Sequence, residues 1–165
     1  MFQRFALITA VLGASLLSAF GQVGRNAMVR AVHASPDAPA VDVWLDGTIA
    51  YQGLRFKDYT DYAPVPPGSH DLQIVVSGTT TAVAGGQVVL QAGVAYTFMA
   101  AGRLSGLRLI STGDLIEPPA MDMVSVRIVH GAATAPGVDI YVSAPFAPLP
   151  AKPVLIGVPF GLGSD

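Results

Sequence analysis

Cysteine is absent from the 165-residue chain. That excludes disulfides, thiolate zinc sites, cysteine nucleophiles and a lipidated N-terminal cysteine. Charge is scarce too: Asp, Glu, Lys and Arg supply 12% of the residues, against about 25% in an average soluble chain. The formal net charge is −2 with no basic stretch, so neither nucleic acid nor an anionic lipid surface is an expected partner. After residue 21 there is no convincing helical period and no second hydrophobic run long enough to cross a bilayer. The catalytic inventory is thin. Ser35, Ser69, Ser77 and Ser105 have no Gly-x-Ser-x-Gly elbow around them. "GTTTAVAGG" (residues 78–86) lacks the lysine of a phosphate loop. Asp58 and Asp61 form the one convincing acidic pair, on a loop with Lys57 and Tyr59. Glycoside chemistry would need such carboxylates at a defined separation across a cleft. The chain is therefore read as a non-enzyme, with no catalytic residue, cofactor or metal site expected.

What is present is core material. Hydrophobic residues make up 52%, and the 18 Gly and 13 Pro stand as punctuation between apolar runs. Such spacing favours many short strands over a few long helices. The first twenty-one residues, "MFQRFALITAVLGASLLSAFG", have one basic residue, Arg4, then an apolar run from Phe5 to Phe20. Small residues at Ala19 and Gly21 complete the pattern of a secretory signal peptide cut before Gln22. The expected location is therefore secreted or periplasmic, in the cell envelope, with no membrane association after cleavage.

From Ala27 the hydrophobic period is two. Val29, Ala31 and His33 share one face with Arg30 opposite, and Val41, Val43 and Leu45 share another with Asp42 and Trp44 opposite. Asp46-Gly47 is a hairpin signal, with "TIAYQ" as the return strand. "VPPGSHDLQIVVSG", "GGQVVLQAG", "VAYTFMAAG" and "GLRLIS" continue the scheme. Roughly seven or eight strands, with turn signals every ~8–12 residues, predict an all-β, antiparallel, immunoglobulin-like β-sandwich over residues 26–112. Residues 113–122, with Pro118-Pro119, read as a linker.

The chain then repeats itself. "VRAVHASPDAPAVDVWLDG" (29–47) returns as "VRIVHGAATAPGVDIYV" (126–142), aligning Arg30 with Arg127, His33 with His130, Pro39 with Pro136, Asp42 with Asp139 and Trp44 with Tyr141. After a Pro-rich insertion, "GLRFKDYTD" (53–61) aligns with "GVPFGLGSD" (157–165). A period near 97 residues is domain duplication rather than a solenoid. Residues 123–165 are read as an incomplete second unit. "MVSVRIVH" is its opening strand, with Val124, Val126, Ile128 and His130 on one face. Its strands are expected to dock on the first domain, to pair with another chain through exposed edges, or to be the start of a longer parent's second domain.

Val32-His33, Ala34 to Pro39, Val41-Asp42-Val43, Trp44 and Asp46-Gly47 together resemble DUF4397, a secreted bacterial domain of unknown function. "VPPGSHDLQIV" (65–75) and "GVAYTFMAAG" (93–102) are similar to that family's closing strands. The resemblance implies export, envelope or extracellular residence, and a β-sandwich often found in tandem. It implies no catalytic residue.

Three residue groups remain candidates for chemistry. His33 and His130 sit at strand ends on the apolar face, with Asp37 and Asp42 near the first. Thr134 replaces Asp37 in the repeat, so a metal set is not repeated, and each His is expected to hydrogen-bond a turn backbone. Arg30 with Asp42, and Arg127 with Asp139, are candidate cross-strand ion pairs. Trp44, Tyr51, Tyr59, Tyr62 and Tyr141 could cover a sheet, anchor a protein contact or stack on sugars. The expected function is a structural or adhesive envelope module working by surface contact. The alternative is a carbohydrate-binding module using exposed aromatics such as Trp44. Expected partners are an envelope or extracellular protein or glycan, with strand-mediated self-association possible.

Overall fold

The computed structural model of the protein describes residues 26–114 and 119–162. The leader expected over residues 1–21 lies outside the described residues. Ten strands follow in chain order: β1 (Ala27–Ala34), β2 (Val41–Leu45), β3 (Thr48–Leu54), β4 (Ala63–Val65), β5 (Gly68–Val76), β6 (Ala82–Leu90), β7 (Ala95–Ala101), β8 (Arg108–Asp114), β9 (Val138–Ile140) and β10 (Leu155–Val158). A single 3-10 turn, Leu104–Gly106, joins β7 to β8. None of the described helices is long and apolar enough to cross a membrane.

The first eight strands make two four-stranded sheets, ordered β4-β1-β7-β8 and β3-β2-β5-β6. Alternation explains how they face each other. Ala27, Val29, Ala31 and His33 of β1 are buried while the residues between them are half-buried, as a period of two requires. They meet Val41, Val43, Leu72, Ile74 and Leu90 of the other sheet, with Phe98 and Ala100 of β7 beside them, in one core. Tyr51 ties the two sheets by donating its hydroxyl to the Val29 carbonyl at 2.7 Å.

All pairings but one are antiparallel. The exception is β1 with β7, which run parallel from Met28↔Ala95 to Ala34↔Ala101. The expectation of a wholly antiparallel sandwich is corrected here. A parallel neighbour needs a long crossover, and here everything from β2 to β6 serves as that crossover, so no local pattern announces it.

The Asp46-Gly47 turn joins β2 to β3 as expected. Both residues have positive φ, 50° and 76°, as a type I′ turn demands. "GTTTAVAGG" is less of a loop than expected, because β6 already begins at Ala82. Gly85 lies inside that strand, where an added Cβ would sit 2.6 Å from the Leu72 carbonyl oxygen. Glycine is needed there for close backbone approach. β8 runs to Asp114, two residues into the stretch expected as linker.

The later segment holds one two-stranded sheet, β10-β9. Its register, Ile140↔Leu155 and Val138↔Val158 with a shift between, matches Val43↔Tyr51 and Val41↔Leu54 in the first hairpin, also with a shift between. "MVSVRIVH" departs from expectation: residues 123–128 form no strand. The corresponding β1 is held between β4 and β7, and no equivalent neighbours exist among the described residues.

Phe98 is 1% exposed at the centre of the core. Phe98→Ala should lower the unfolding free energy by about 3–5 kcal/mol, measured by urea denaturation. A loss below about 1 kcal/mol would mean that this core does not hold the two sheets together.

Candidate functional site

The turn after β1 carries the chain from one sheet to the other, and a buried imidazole closes it. His33 Nε2 lies 3.1 Å from the Pro39 carbonyl oxygen, and the Ser35 N–H points at Nδ1 from 3.2 Å. A carbonyl can only accept and an N–H can only donate, so these partners assign the Nε2–H tautomer. The backbone of His33 is engaged as well. Its N–H donates to the Asp58 carbonyl at 2.9 Å, and its own carbonyl accepts from Lys57 at 2.8 Å. Asp42 accepts from the Gly53 N–H at 2.8 Å and from the Ser77 hydroxyl at 2.6 Å.

The same bonds recur in the later segment. His130 Nε2 lies 3.1 Å from the Pro136 carbonyl oxygen, and Nδ1 accepts from Ala132 N–H at 3.2 Å. The His130 N–H donates to Leu162, and its carbonyl accepts from Gly161. Asp139 accepts from Gly157 N–H at 2.7 Å. The left-handed residues recur too: Gly53 (φ 70°) with Gly157 (62°), and Lys57 (78°) with Gly161 (83°). The imidazoles are thus turn braces, as expected. Among the described residues no three His, Asp or Glu side chains converge on a metal position.

The two expected Arg–Asp pairs do not form, because each Asp is held by its own hairpin bulge. β1 and β2 lie in different sheets. Arg30 instead donates from Nε to Thr97 Oγ1 at 2.7 Å and lies 4.8 Å over the Tyr62 ring. Thr97 and Tyr62 both donate to Asp114 Oδ2, at 2.5 and 2.7 Å. Burial, followed by the bond to Asp114, pushes the Tyr62 hydroxyl pKa up. Arg127 reaches back from the later segment to the Gly113 carbonyl and to Asp114 Oδ1. This network straps the later segment onto β8. Sequence spacing missed it, since its members come from five separate stretches. Phe160 adds an apolar contact, with Arg108 5.9 Å over its ring and His130 packed edge-on against it.

Between the two His turns lies a cleft of about 170 Å³, lined by Pro36, Asp37, Arg103 and Thr134 among others. Asp37 is already engaged: Oδ1 accepts from the Ser35 hydroxyl and from Leu104 N–H. Ser35 and His33 are fully buried, so this Ser–His–Asp cluster presents no nucleophile to solvent. Ser69 and Ser105 lie exposed on the surface. Asp58 caps its own turn by accepting from Arg55 N–H at 2.8 Å, while the exposed Asp61 lends its carbonyl to Thr60.

The aromatics divide. Trp44 is half-buried, with its indole N–H enclosed and without a partner. Tyr59 is 72% exposed, and Tyr62 and Tyr141 are partly exposed.

His70 contrasts with the braces. Its Nδ1 lies 2.7 Å from the Asp46 carboxylate and its Nε2 2.9 Å from the Pro66 carbonyl oxygen. Both partners accept, so only the imidazolium donates to both. The bond to Asp46 raises the His70 pKa above 6.5, and the reciprocal bond lowers that of Asp46 below 3.8. His70 therefore stabilises the fold fully below pH 6.5, and that contribution is lost as pH rises through its folded value. Wild type should lose stability between pH 6 and 9 relative to His70→Gln, in denaturation series at matched ionic strength. Equal pH slopes for the two proteins would refute the assignment.

The sequence model of one family, the domain of unknown function DUF4397, matches residues 27–141. No curated protein matches the chain significantly.

Proposed function

The chain belongs to the DUF4397 family, and from that membership we propose that it is an exported structural or adhesive module of the cell envelope or exterior. It acts by surface contact, and residues 123–162 are the opening strands of a second unit. The repeated His brace, Asp–Gly bond and hairpin register support the second unit. The leader pattern of residues 1–21 supports export.

One observation carries the contact role: bare apolar side chains are concentrated in the later segment. Val124 is 83% exposed where its counterpart Ala27 is 0%, and Val126 is 71% exposed where Val29 is 4%. Val142, Val154 and Ile156 are bare as well. Clustered apolar exposure marks interaction surface. Meanwhile the buried His and Asp side chains brace backbone rather than face solvent.

Purified protein beginning at Gln22 should be retained saturably by washed envelopes of the source cells. Val126→Asp with Ile156→Asp should weaken retention about tenfold, equivalent to ~1.4 kcal/mol. Both sites are exposed, so the fold should be indifferent to the change. Absence of retention, or retention untouched by the double substitution, would overturn the contact role. A glycan-binding reading stands second, favoured by the bare ring of Tyr59. It takes over if purified polysaccharide retains the protein and Tyr59→Ala abolishes that retention.

A further inference from the structure

The open edge of β9 is shaped for a second copy of this chain. This inference rests on reading residues 123–162 as the start of a second unit. In the first unit β2 has neighbours on both sides, β3 and β5, within the order β3-β2-β5-β6. Its counterpart β9 has only β10. Backbone bonds Ser77→Ala40 and Asp46→Asp71 bracket the β2–β5 ladder. Bonded pairs alternate in an antiparallel ladder, so Asp42 and Trp44 also turn their backbone groups toward β5. Their counterparts are Asp139 and Tyr141. In β9, Val138 and Ile140 pair with β10, which leaves Asp139 and Tyr141 pointing their N–H and C=O the other way. No backbone partner for either is found among the described residues.

The first unit shows what fills such an edge: an antiparallel strand, then a further antiparallel strand. A two-fold axis supplies both at once. We infer that two molecules pair β9 against β9 about an axis through Ile140, giving a four-stranded sheet β10-β9-β9-β10. Its order and directions match β3-β2-β5-β6. A two-fold contact is self-complementary and closed, so it ends at two chains.

The side chains fit that register. With Ile140 on the axis, Asp139 lies opposite Tyr141 of the other molecule, which keeps the two Asp139 carboxylates from facing each other. Like charges directly opposite would be destabilising. Val138 lies opposite Val142, and the two Ile140 side chains meet. A two-fold normal to the sheet keeps these apolar side chains on one face. Val142, 63% exposed, gains neighbours there. Register centred on Asp139 would pair the carboxylates instead. The same apolar face then offers cover for Val126, the bare counterpart of Val29.

The chain has no cysteine, which makes a single introduced thiol a clean probe. Opposed residues in a non-bonded antiparallel pair have Cα atoms about 4.5 Å apart, within the ~4.4–6.8 Å that a disulfide spans. Protein from Gln22 to Asp165 should sediment at twice the monomer mass. Ile140→Cys, treated with oxidised glutathione, should convert to the disulfide-linked dimer. Ile156→Cys, equally bare but on β10 away from the axis, should cross-link far more slowly. Tyr141→Pro deletes the N–H aimed at the open edge and should return the protein to the monomer mass.

A monomer at every concentration overturns the inference, and so does cross-linking at position 156 as fast as at 140. Hydrogen exchange at Gly157 separates the two levels of the argument. A protected Gly157 amide in a monomer leaves the second-unit hairpin standing and removes only the pairing. An unprotected amide removes the second-unit reading itself.

Discussion

The structure depends on a turn that cannot close itself. Between β1 and β2 the chain must cross from one sheet to the other through "SPDAPA", in which Pro36 and Pro39 have no N–H to give. A buried turn with unmatched carbonyls and amides would cost a few kcal/mol. The His33 imidazole resolves this because it offers one donor and one acceptor about two ångströms apart on a rigid ring. It joins the Ser35 N–H at the start of the turn to the Pro39 carbonyl at its end. Its own backbone meanwhile grips Lys57 and Asp58, beyond β3. One residue thus fixes the end of β1, the crossing, and the return of the first hairpin. The facing of the two sheets follows from that geometry.

The later segment separates what this brace needs from what it tolerates. Ser35 becomes Ala132, yet the bond persists, because only the backbone N–H is used. Lys57 becomes Gly161 at a position with positive φ, where glycine removes the strain that lysine bears. Asp37, which ties the first turn to Leu104, becomes Thr134. The residues kept are His, the turn-closing Pro, Asp and the bulge Gly. Each makes or permits one of the repeated backbone bonds. A set retained for backbone geometry, with its imidazole sealed from solvent, describes architecture. The motif that first invites a metal or catalytic interpretation is therefore the part of the molecule most fully accounted for by folding.

Much of this was legible in the sequence and some was not, for reasons of range. Alternation in "MVRAVHA" and "VDVWL" located strands and core faces, because side-chain direction along a strand is local. Asp46-Gly47 located a turn for the same reason. The His brace was foreseeable from an imidazole beside a proline-rich turn. The Arg30–Asp42 pairing failed because adjacency in sequence says nothing about which sheet a strand joins. The parallel β1–β7 pair and the Tyr62–Thr97–Asp114 network failed likewise, since their partners lie 52 or more residues apart in the chain. Trp44 illustrates a third limit. Its outward phase was read correctly as opposite to Val43, but outward does not mean bare, and its indole N–H is enclosed.

Burial and strand formation are properties of neighbours rather than of residues. Val29 and Val126 share a pattern and a position in the repeat, yet one is sealed and the other bare. Val29 has Ala63 on one side and Tyr96 on the other. Residues 123–128 have neither, so they remain extended chain without a ladder, as lone strands in water do. The hairpin β9–β10 and the His130 brace persist because they close over residues 130–162 and need nothing further away. The second segment therefore contains those bonds of the fold that are local, and lacks those that wait on distant strands. Its bare valines and open β9 edge are the physical consequence. They are surfaces prepared for partners whose chemistry the first unit already displays: antiparallel backbone on the edge and aliphatic side chains on the face.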